Sequence, residues 1–452
     1  MKRLLLSAMQ SGSGKTAVTC GLLAALKNRG LQVQAFKCGP DYIDPMFHTR
    51  VLGVPSRNLD LFLQGESGVC QTLSRHPADI ALLEGAMGFY DGVGGTDQAS
   101  AWRTAVVTGT PVLLIVRPRG TSLTLAAKIK GLLSFRWDSH IVGLLLNDCK
   151  PVVYAHLAPL LQQETGLPVL GYLPPMEEAV LESRHLGLLT AGEICDLSGR
   201  FLRIAEQMEQ TMDLDRLLQL AEQAAPFSVC PKEETVSVSS SRIAVAQDEA
   251  FCFYYPDNLD ALRAAGAAIC PFSPLHDPVL PEGIGGIYLG GGYPELWTQK
   301  LAQNETMRSS IRQAVERGLP TVAECGGFLY LQQSLQDQNA VSWPMVGALH
   351  GDGIRTGQLQ RFGYLHLTAE TDSLLFRQGE TVPAHEFHYW DSTENGSSLT
   401  AGKPLRDRTW RCGVVGPALY AAFPHLHFGG DIPMAARFVT AAKTFLKKAY
   451  DE

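Results

Sequence analysis

Two short segments carry residue types suited to covalent chemistry. The first is Thr321-Val322-Ala323-Glu324-Cys325-Gly326-Gly327-Phe328, which reads as a strand, a sharp turn and a helix start. That is the shape of a nucleophile elbow, with Ala at the first small position and Cys in place of Ser. Such a turn exposes the Cys325 thiol, and the helix N-terminus behind it is expected to lower the thiol pKa and favour thiolate. The Gly326 N–H is placed to donate to an oxyanion, and a second donor is expected from Gly291 or Gly292 in Leu289-Gly290-Gly291-Gly292-Tyr293-Pro294-Glu295. A thiol nucleophile needs a base distant in sequence. His385 and His388 in Ala384-His385-Glu386-Phe387-His388-Tyr389 are candidates, as are His425 and His427 in Phe423-Pro424-His425-Leu426-His427-Phe428. Residue chemistry alone does not choose among the four.

The second segment is Ser11-Gly12-Ser13-Gly14-Lys15-Thr16. Gly12 and Gly14 let backbone N–H groups, that of Ser13 included, turn toward phosphate oxygens. The following helix adds its dipole, Lys15 supplies charge, and the Thr16 hydroxyl suits Mg²⁺. The strict pattern would want Gly at position 9, where this chain has Met9. Further along, Phe36-Lys37-Cys38-Gly39-Pro40-Asp41-Tyr42-Ile43-Asp44-Pro45 holds two carboxylates in a loop bounded by Gly and Pro. Asp41 and Asp44 there can face a nucleotide's metal, because open α/β sheets bind ligands at strand C-termini. Glu84 opens Glu84-Gly85-Ala86-Met87-Gly88-Phe89-Tyr90-Asp91-Gly92 directly after an apolar run, a place to hold Mg²⁺ or its water. The glycines of that loop suggest close backbone approach to a ligand. Asn147 ends another apolar run, where its carboxamide can read adenine's donor–acceptor edge.

The elements that must position these residues follow from the apolar pattern. Strands are expected at 3–8, 31–36, 80–83, 112–116, 141–146 and 169–173, alternating with helices, the first over 17–29. That alternation implies βαβ crossovers and a mostly parallel sheet. A helix is expected over 201–225, then a serine-rich linker over 228–241. A second α/β pattern begins at 243–246 and continues through strands at 286–289 and 321–323, with a helix near 307–317 and a closing helix over 441–450. The expected organisation is a phosphate-loop domain over 1–195, helix and linker over 196–241, and a second domain over 242–452.

Composition narrows the function. The formal net charge of −7 disfavours nonspecific nucleic-acid binding, which needs a basic surface. The ten cysteines include no CxxC pair and read as reduced thiols. The N-terminal apolar run is too short for a signal peptide, and no apolar run approaches the roughly 20 residues of a membrane span. A soluble cytoplasmic protein is expected, with an oligomer left open.

Together these motifs resemble the cobyrinic acid a,c-diamide synthase family. The resemblance rests on 11–16, 37–44, 84–92, Ser183-Arg184-His185-Leu186-Gly187-Leu188, 248–259, Phe272-Ser273-Pro274-Leu275, 291–296, 323–327, 385–388 and 425–427. It implies an α/β chain with an N-terminal phosphate-loop domain like dethiobiotin synthetase and a C-terminal class I-type glutamine amidotransferase domain. It implies that Cys325 attacks glutamine's side-chain amide, with His425 as base and His427 where other class I enzymes carry a Glu. Ammonia would then displace phosphate from corrin carboxylates phosphorylated by ATP, at the a and c acetates. Lys15 and Lys37 would hold phosphates; Thr16, Glu84 and one or both of Asp41 and Asp44 would hold Mg²⁺. Relatives acting on hydrogenobyrinate or nickel sirohydrochlorin share these motifs. Cobyric acid synthase shares the reaction type, but its acidic loop fits 37–44 less well. A regulatory P-loop ATPase would need no Cys325. Tyr42, Arg184 and His185 are the candidates for contact with the tetrapyrrole. A polycarboxylate on an acidic protein needs concentrated local positive charge, and Arg184 and His185 follow the strand at 169–173.

Overall fold

The computed structural model describes residues 1–181, 183–184, 187–188, 192, 194, 196–227 and 241–451. The chain divides into two compact units, Met1–Pro231 and Lys232–Glu452.

In the first unit, mostly apolar segments with both faces covered give strands that are largely buried. They are β1 (Lys2–Ala8), β2 (Val33–Cys38), β3 (Arg57–Leu59), β4 (Ile80–Glu84), β5 (Val112–Val116), β6 (Ile141–Asn147) and β7 (Val169–Leu173). All pair in parallel, in the order β3-β2-β4-β1-β5-β6-β7. The short edge strand β3, polar and three residues long, was not expected from the pattern. Because the strands share one direction, the C-terminal ends Ala8, Cys38, Glu84 and Asn147 emerge along one edge of the sheet. Helix α1 (Lys15–Asn28) follows β1, and α2 (Ile43–Leu52) follows β2.

The single helix expected over 201–225 is two, Leu197–Thr211 and Leu214–Ala221. The break falls at Asp213, whose carboxylate caps the second helix by accepting from Arg216 N–H at 2.8 Å. Both helices pack into the first unit's core: Phe201, Ile204 and Met208 lie with Leu22 and Leu23 of α1. A Cβ at Gly21 would stand 2.4 Å from Ile204, so glycine permits that close approach. Residues 228–240 of the expected linker lie outside the described residues.

The second unit has a central sheet of β8 (Ser241–Ala246), β9 (Ala267–Phe272), β10 (Gly286–Leu289), β11 (Thr321–Glu324), β12 (Val414–Gly416) and β13 (Leu419–Ala422). Their order is β9-β8-β10-β11-β13-β12, parallel except for the antiparallel edge pair β13-β12. Apolar clusters cover both faces, and the C-terminal helix Met434–Asp451 buries Phe438 and Val439 in one of them. Beside this sheet stands a long antiparallel hairpin, Asp352–Ala369 with Thr381–Ser392, which the sequence pattern did not disclose. The strand His425–Leu426 pairs with its second arm.

Candidate active site

The sequence-flagged loops of the first unit converge at the C-terminal edge of its sheet. The phosphate loop turns at Gly12 (φ 74°) and Gly14 (φ 82°), both in the left-handed region that favours glycine. A Cβ at Gly14 would also stand 2.2 Å from the Asn147 amide nitrogen. Asn147 donates to the Ser13 carbonyl at 2.8 Å and so buttresses the loop from β6. Arg117, after β5, donates to the Gly12 carbonyl at 2.8 Å and pairs with Asp148 at 2.5 Å.

Inside this loop the charges are tightly paired. The Lys37 ammonium lies 2.5 Å from Asp44 Oδ2 and 2.9 Å from Glu84 Oε1. The Thr16 hydroxyl lies 3.1 Å from Asp44 Oδ1 and 3.0 Å from Glu84 Oε1. Burial, then Asp41 and Glu84, push the Asp44 carboxyl well up, against the opposing pull of Lys37. Burial works to raise Glu84 as well, but Lys37 and the His48 hydrogen bond outweigh it and hold this carboxyl well below the usual range. Burial likewise opposes the Lys37 charge, and Asp44 and Glu84 overcome it and hold that ammonium well above the ordinary lysine range. Lys15 donates to the Met87 carbonyl at 2.6 Å. Burial, then the neighbouring Lys37, push Lys15 down to about 8.

The two aspartates differ. Asp41 Oδ1 accepts from the N–H groups of Ile43 at 2.7 Å and Asp44 at 3.2 Å, a helix-capping role at the start of α2. Asp44 is the one that reaches Thr16 and Lys37. His48, which sequence reasoning missed, is fully buried on α2. Its Nε2 lies 2.7 Å from Glu84 Oε2 and its Nδ1 3.1 Å from the Ser56 hydroxyl. Its place on the same α2 face as Asp44, one turn away, was the available signal. The glycines after Glu84 serve the protein's own backbone: a Cβ at Gly88 would stand 2.7 Å from the Met9 carbonyl, and one at Gly92 would stand 2.1 Å from the Gln98 carbonyl.

Thr16, Asp44 and Glu84 offer only oxygen donors, which fits a hard divalent cation such as Mg²⁺. Among the described residues no three His, Cys, Asp or Glu side chains close on one point as a self-contained metal site. Mg²⁺ bound through one or two carboxylates and a nucleotide's phosphates does not require one.

In the second unit Cys325 stands at φ 49°, ψ −100°, between β11 and the helix Gly326–Leu331. A non-glycine residue there stores about 1–3 kcal/mol of backbone strain. The strain is held by Cys325 N–H donating to Ala422 O at 2.9 Å and Gly327 N–H donating to Gly290 O at 3.0 Å. The Gly326 N–H faces the thiol. The Gly292 nitrogen lies 3.1 Å from where a Gly326 Cβ would stand, which brings Gly292, of the two candidates, close to Gly326. Gly291 instead backs His425: its Cβ would stand 2.6 Å from the ring. One expectation is corrected here. The thiol pKa is raised, not lowered, because burial, then Glu295 and Glu386, outweigh the Gly326 N–H and the short helix behind it.

The four histidines separate by their surroundings. His388 is buried with Nδ1 on the Trp390 carbonyl at 2.5 Å and Nε2 on Glu386 at 2.7 Å, stacked on Phe423. Its two nitrogens are committed. His427 Nδ1 accepts from Gly429 N–H at 3.1 Å, and burial pushes this ring down to about 4. His385 lies edge-on to Phe362 and Tyr364. His425 faces Gly291 and, at 3.7 Å from Nδ1, the buried carboxylate of Glu324. Asn258 pins its strand by donating to Leu426 O at 2.8 Å and accepting from Phe428 N–H at 2.7 Å.

Of the tetrapyrrole-contact candidates, Tyr42 is half-buried at the start of α2. Arg184 lies in a short ribbon, Ser183–Arg184 paired with Gly187–Leu188. His185 lies outside the described residues. No helix among the described residues is long and apolar enough to cross a membrane.

Comparison with known proteins agrees with this division. Residues 4–188 match the CobQ/CobB/MinD/ParA nucleotide binding domain, and residues 242–432 the CobB/CobQ-like glutamine amidotransferase domain. The cobyrinate a,c-diamide synthase of Clostridium acetobutylicum is 38% identical over 97% of this chain and 100% of its own. That of Listeria monocytogenes serotype 4b is 40% identical over 95% and 96%, and that of Salmonella typhimurium 38% over 98% of each. A nucleotide-binding unit followed by an amidotransferase unit, similar to these enzymes along nearly the whole length, makes this chain a member of the cobyrinate a,c-diamide synthase family.

Proposed function

We propose that the chain amidates the a and c carboxylates of cobyrinate, using glutamine as nitrogen source and ATP as activator. The observation that carries this reading is the presence, in one chain, of two chemically different sites: a strained, buried thiol at Cys325 whose neighbour Glu324 lies 3.7 Å from His425, and a cluster of Lys15, Thr16, Lys37, Asp44 and Glu84 behind a phosphate loop.

At the first site Cys325 Sγ bonds to the carboxamide carbon of glutamine as its proton passes to His425. The oxyanion is met by the N–H groups of Gly326 and Gly292. The intermediate collapses, the amide C–N bond breaks, and His425 returns the proton to the departing ammonia. Water then cleaves the glutamyl thioester to glutamate and restores the thiol. Burial pushes the Cys325 thiol up, so a base to take its proton contributes more.

At the second site a corrin carboxylate oxygen attacks the γ-phosphorus of ATP, giving an acyl phosphate and ADP. Ammonia attacks the acyl carbon, and phosphate leaves with the bonding pair. Lys15 and Lys37 hold phosphate oxygens, and backbone N–H groups at Gly12–Gly14 cradle them. Asn147 keeps the cradle in shape and stands at the adenine-reading place. Thr16, Asp44 and Glu84 would hold Mg²⁺, which neutralises charge on the transferring phosphoryl group. Tyr42, Arg184 and His185 remain the proposed tetrapyrrole contacts, and Asp41 orders the loop that carries Tyr42 to α2.

The test is direct. Cobyrinate, hydrogenobyrinate and nickel sirohydrochlorin are each incubated with ATP, Mg²⁺ and glutamine, and products are weighed by mass spectrometry. Two hydroxyl-to-amino exchanges on cobyrinate are expected. Exchange only on hydrogenobyrinate or nickel sirohydrochlorin would move the substrate, and four exchanges on the diamide would make the enzyme a cobyric acid synthase. ATP hydrolysis with no amidation of any of them would favour a regulatory ATPase.

A further inference from the structure

We propose that Glu324, the residue immediately before the nucleophile, is the positioning carboxylate for His425, occupying in space the role that His427 leaves unfilled in sequence. The inference rests on the reading of Cys325 and His425 given above.

Glu324 is buried, 1% exposed, at the end of β11. A carboxylate in such a place is costly unless paired. Its neutral partners are the Leu426 N–H, 3.1 Å from Oε1, and the Tyr288 hydroxyl, 3.1 Å from Oε2. Among the described residues the one cation-capable group within ion-pair range is His425, with Nδ1 3.7 Å from Oε2. Glu324 thus grips the backbone of the residue after His425 and faces the ring of His425 itself. The Nδ1 of His427 instead takes the Gly429 N–H.

At 3.7 Å the pair is an ion pair in waiting and not a hydrogen bond. A carboxylate on that side favours the tautomer with hydrogen on Nδ1. In that tautomer Nε2 carries the lone pair that takes the thiol proton, and the imidazolium that forms is stabilised. Burial disfavours the charged forms of the tyrosines, Cys325 and His385 around the pair, while Glu386 and Glu295 act on the Cys325 side. Burial holds Tyr254, Tyr288 and Tyr420 far above the ordinary phenol range. Burial also raises the Cys325 thiol and, with His425 and Lys403, pushes His385 down to about 3.

The test compares Glu324→Gln, Glu324→Asp and His425→Ala in the full chain. A carboxamide can still accept from Leu426 N–H and bond Tyr288, so Gln removes charge and keeps the hydrogen bonds. Glu324→Gln is expected to lower glutaminase kcat by about 10²-fold or more, with KM for glutamine within about threefold. The acid limb of the kcat profile moves to lower pH, because a lost carboxylate makes the imidazolium easier to deprotonate. The melting temperature and ammonia-dependent amidation stay at wild-type values. Glu324→Asp, which keeps the charge, retains at least about tenfold more activity than Gln and provides the reading if Gln does not fold. An unshifted acid limb with wild-type kcat in Glu324→Gln, while His425→Ala is inactive, overturns the role of Glu324 alone. Equal loss in Gln and Asp, together with a lower melting temperature, overturns it in favour of a structural role. Full glutaminase activity in His425→Ala overturns the assignment of the base itself.

Discussion

The two sites of this chain solve opposite electrostatic problems. In the first unit Lys37 is surrounded by Asp44 and Glu84, and burial is tolerated because charges cancel at 2.5 and 2.9 Å. In the second unit the proposed nucleophile is a group whose charged form is disfavoured: burial and nearby carboxylates raise the Cys325 thiol, which sits on a strained backbone. A site that must receive a polyanion holds fixed cations ready. A site that must attack a neutral amide holds its charge back until a proton acceptor is engaged. The same burial therefore has different consequences, pairing in one unit and neutrality in the other.

Breaking the comparison at its sharpest point gives the largest effect. Cys325→Ser should lower glutamine-dependent amidation by about 10⁴-fold or more, the usual cost of losing a covalent nucleophile. Amidation driven by added ammonia should persist, which a paired measurement with glutamine and with ammonium salt checks. The mirror experiment is Lys15→Ala, which should lower ATP-dependent amidation by about 10²–10³-fold through lost phosphate stabilisation. Glutamine hydrolysis should be unchanged, measured as glutamate release. A third variant tests the claim that pairing permits burial. Lys37→Met leaves Asp44 and Glu84 facing each other and should cost the first unit about 3–5 kcal/mol, read from its own transition in urea unfolding. Asn147→Ala removes one hydrogen bond to the phosphate loop and should raise KM for ATP about tenfold without touching glutaminase activity.

The smallest expected effect lies away from both sites. The hydrogen bond from Arg437, against a smaller opposing effect of burial, holds the Glu380 carboxyl down to about 2. A carboxyl depressed in the folded state contributes stability that is complete above its unfolded value of roughly 4.3 and is lost as pH falls toward 2. Glu380→Gln should therefore flatten the acid side of the stability profile between those values and leave activity at neutral pH unchanged. Thermal scans across that range check it.

Much of this arrangement was legible in the sequence, for identifiable reasons. The strands of the first unit are apolar runs buried on both faces, and the loop at Gly12–Thr16 has a spacing that little else requires. Cys325 announced itself through flanking small residues. What escaped was set by contacts across the fold. Glu324 reads as the polar end of a strand, and its approach to His425 depends on β11 lying beside β13. His48 sits in an ordinary helix and matters only because α2 lies against Glu84. The thiol's raised pKa followed from carboxylates at Glu295 and Glu386, which are far from Cys325 in sequence. The hairpin at Asp352–Ala369 mixes Arg, Gln and Gly with register shifts, so no clean alternation marked it.

The pairing of β11 with β13 also sets an order of events during synthesis. Thr321 lies opposite Leu419 and Glu324 opposite Ala422, so the strand leading to the nucleophile is flanked on one side by chain made much later. Until Leu419–Ala422 has emerged from the ribosome, β11 presents an unpaired edge, and the carbonyl that fixes Cys325 in its strained turn does not yet exist. Contacts of such long sequence separation close slowly. The thiol therefore acquires its reactive posture only near the end of translation, and a chain that stops short of β13 carries an exposed strand edge prone to wrong pairing.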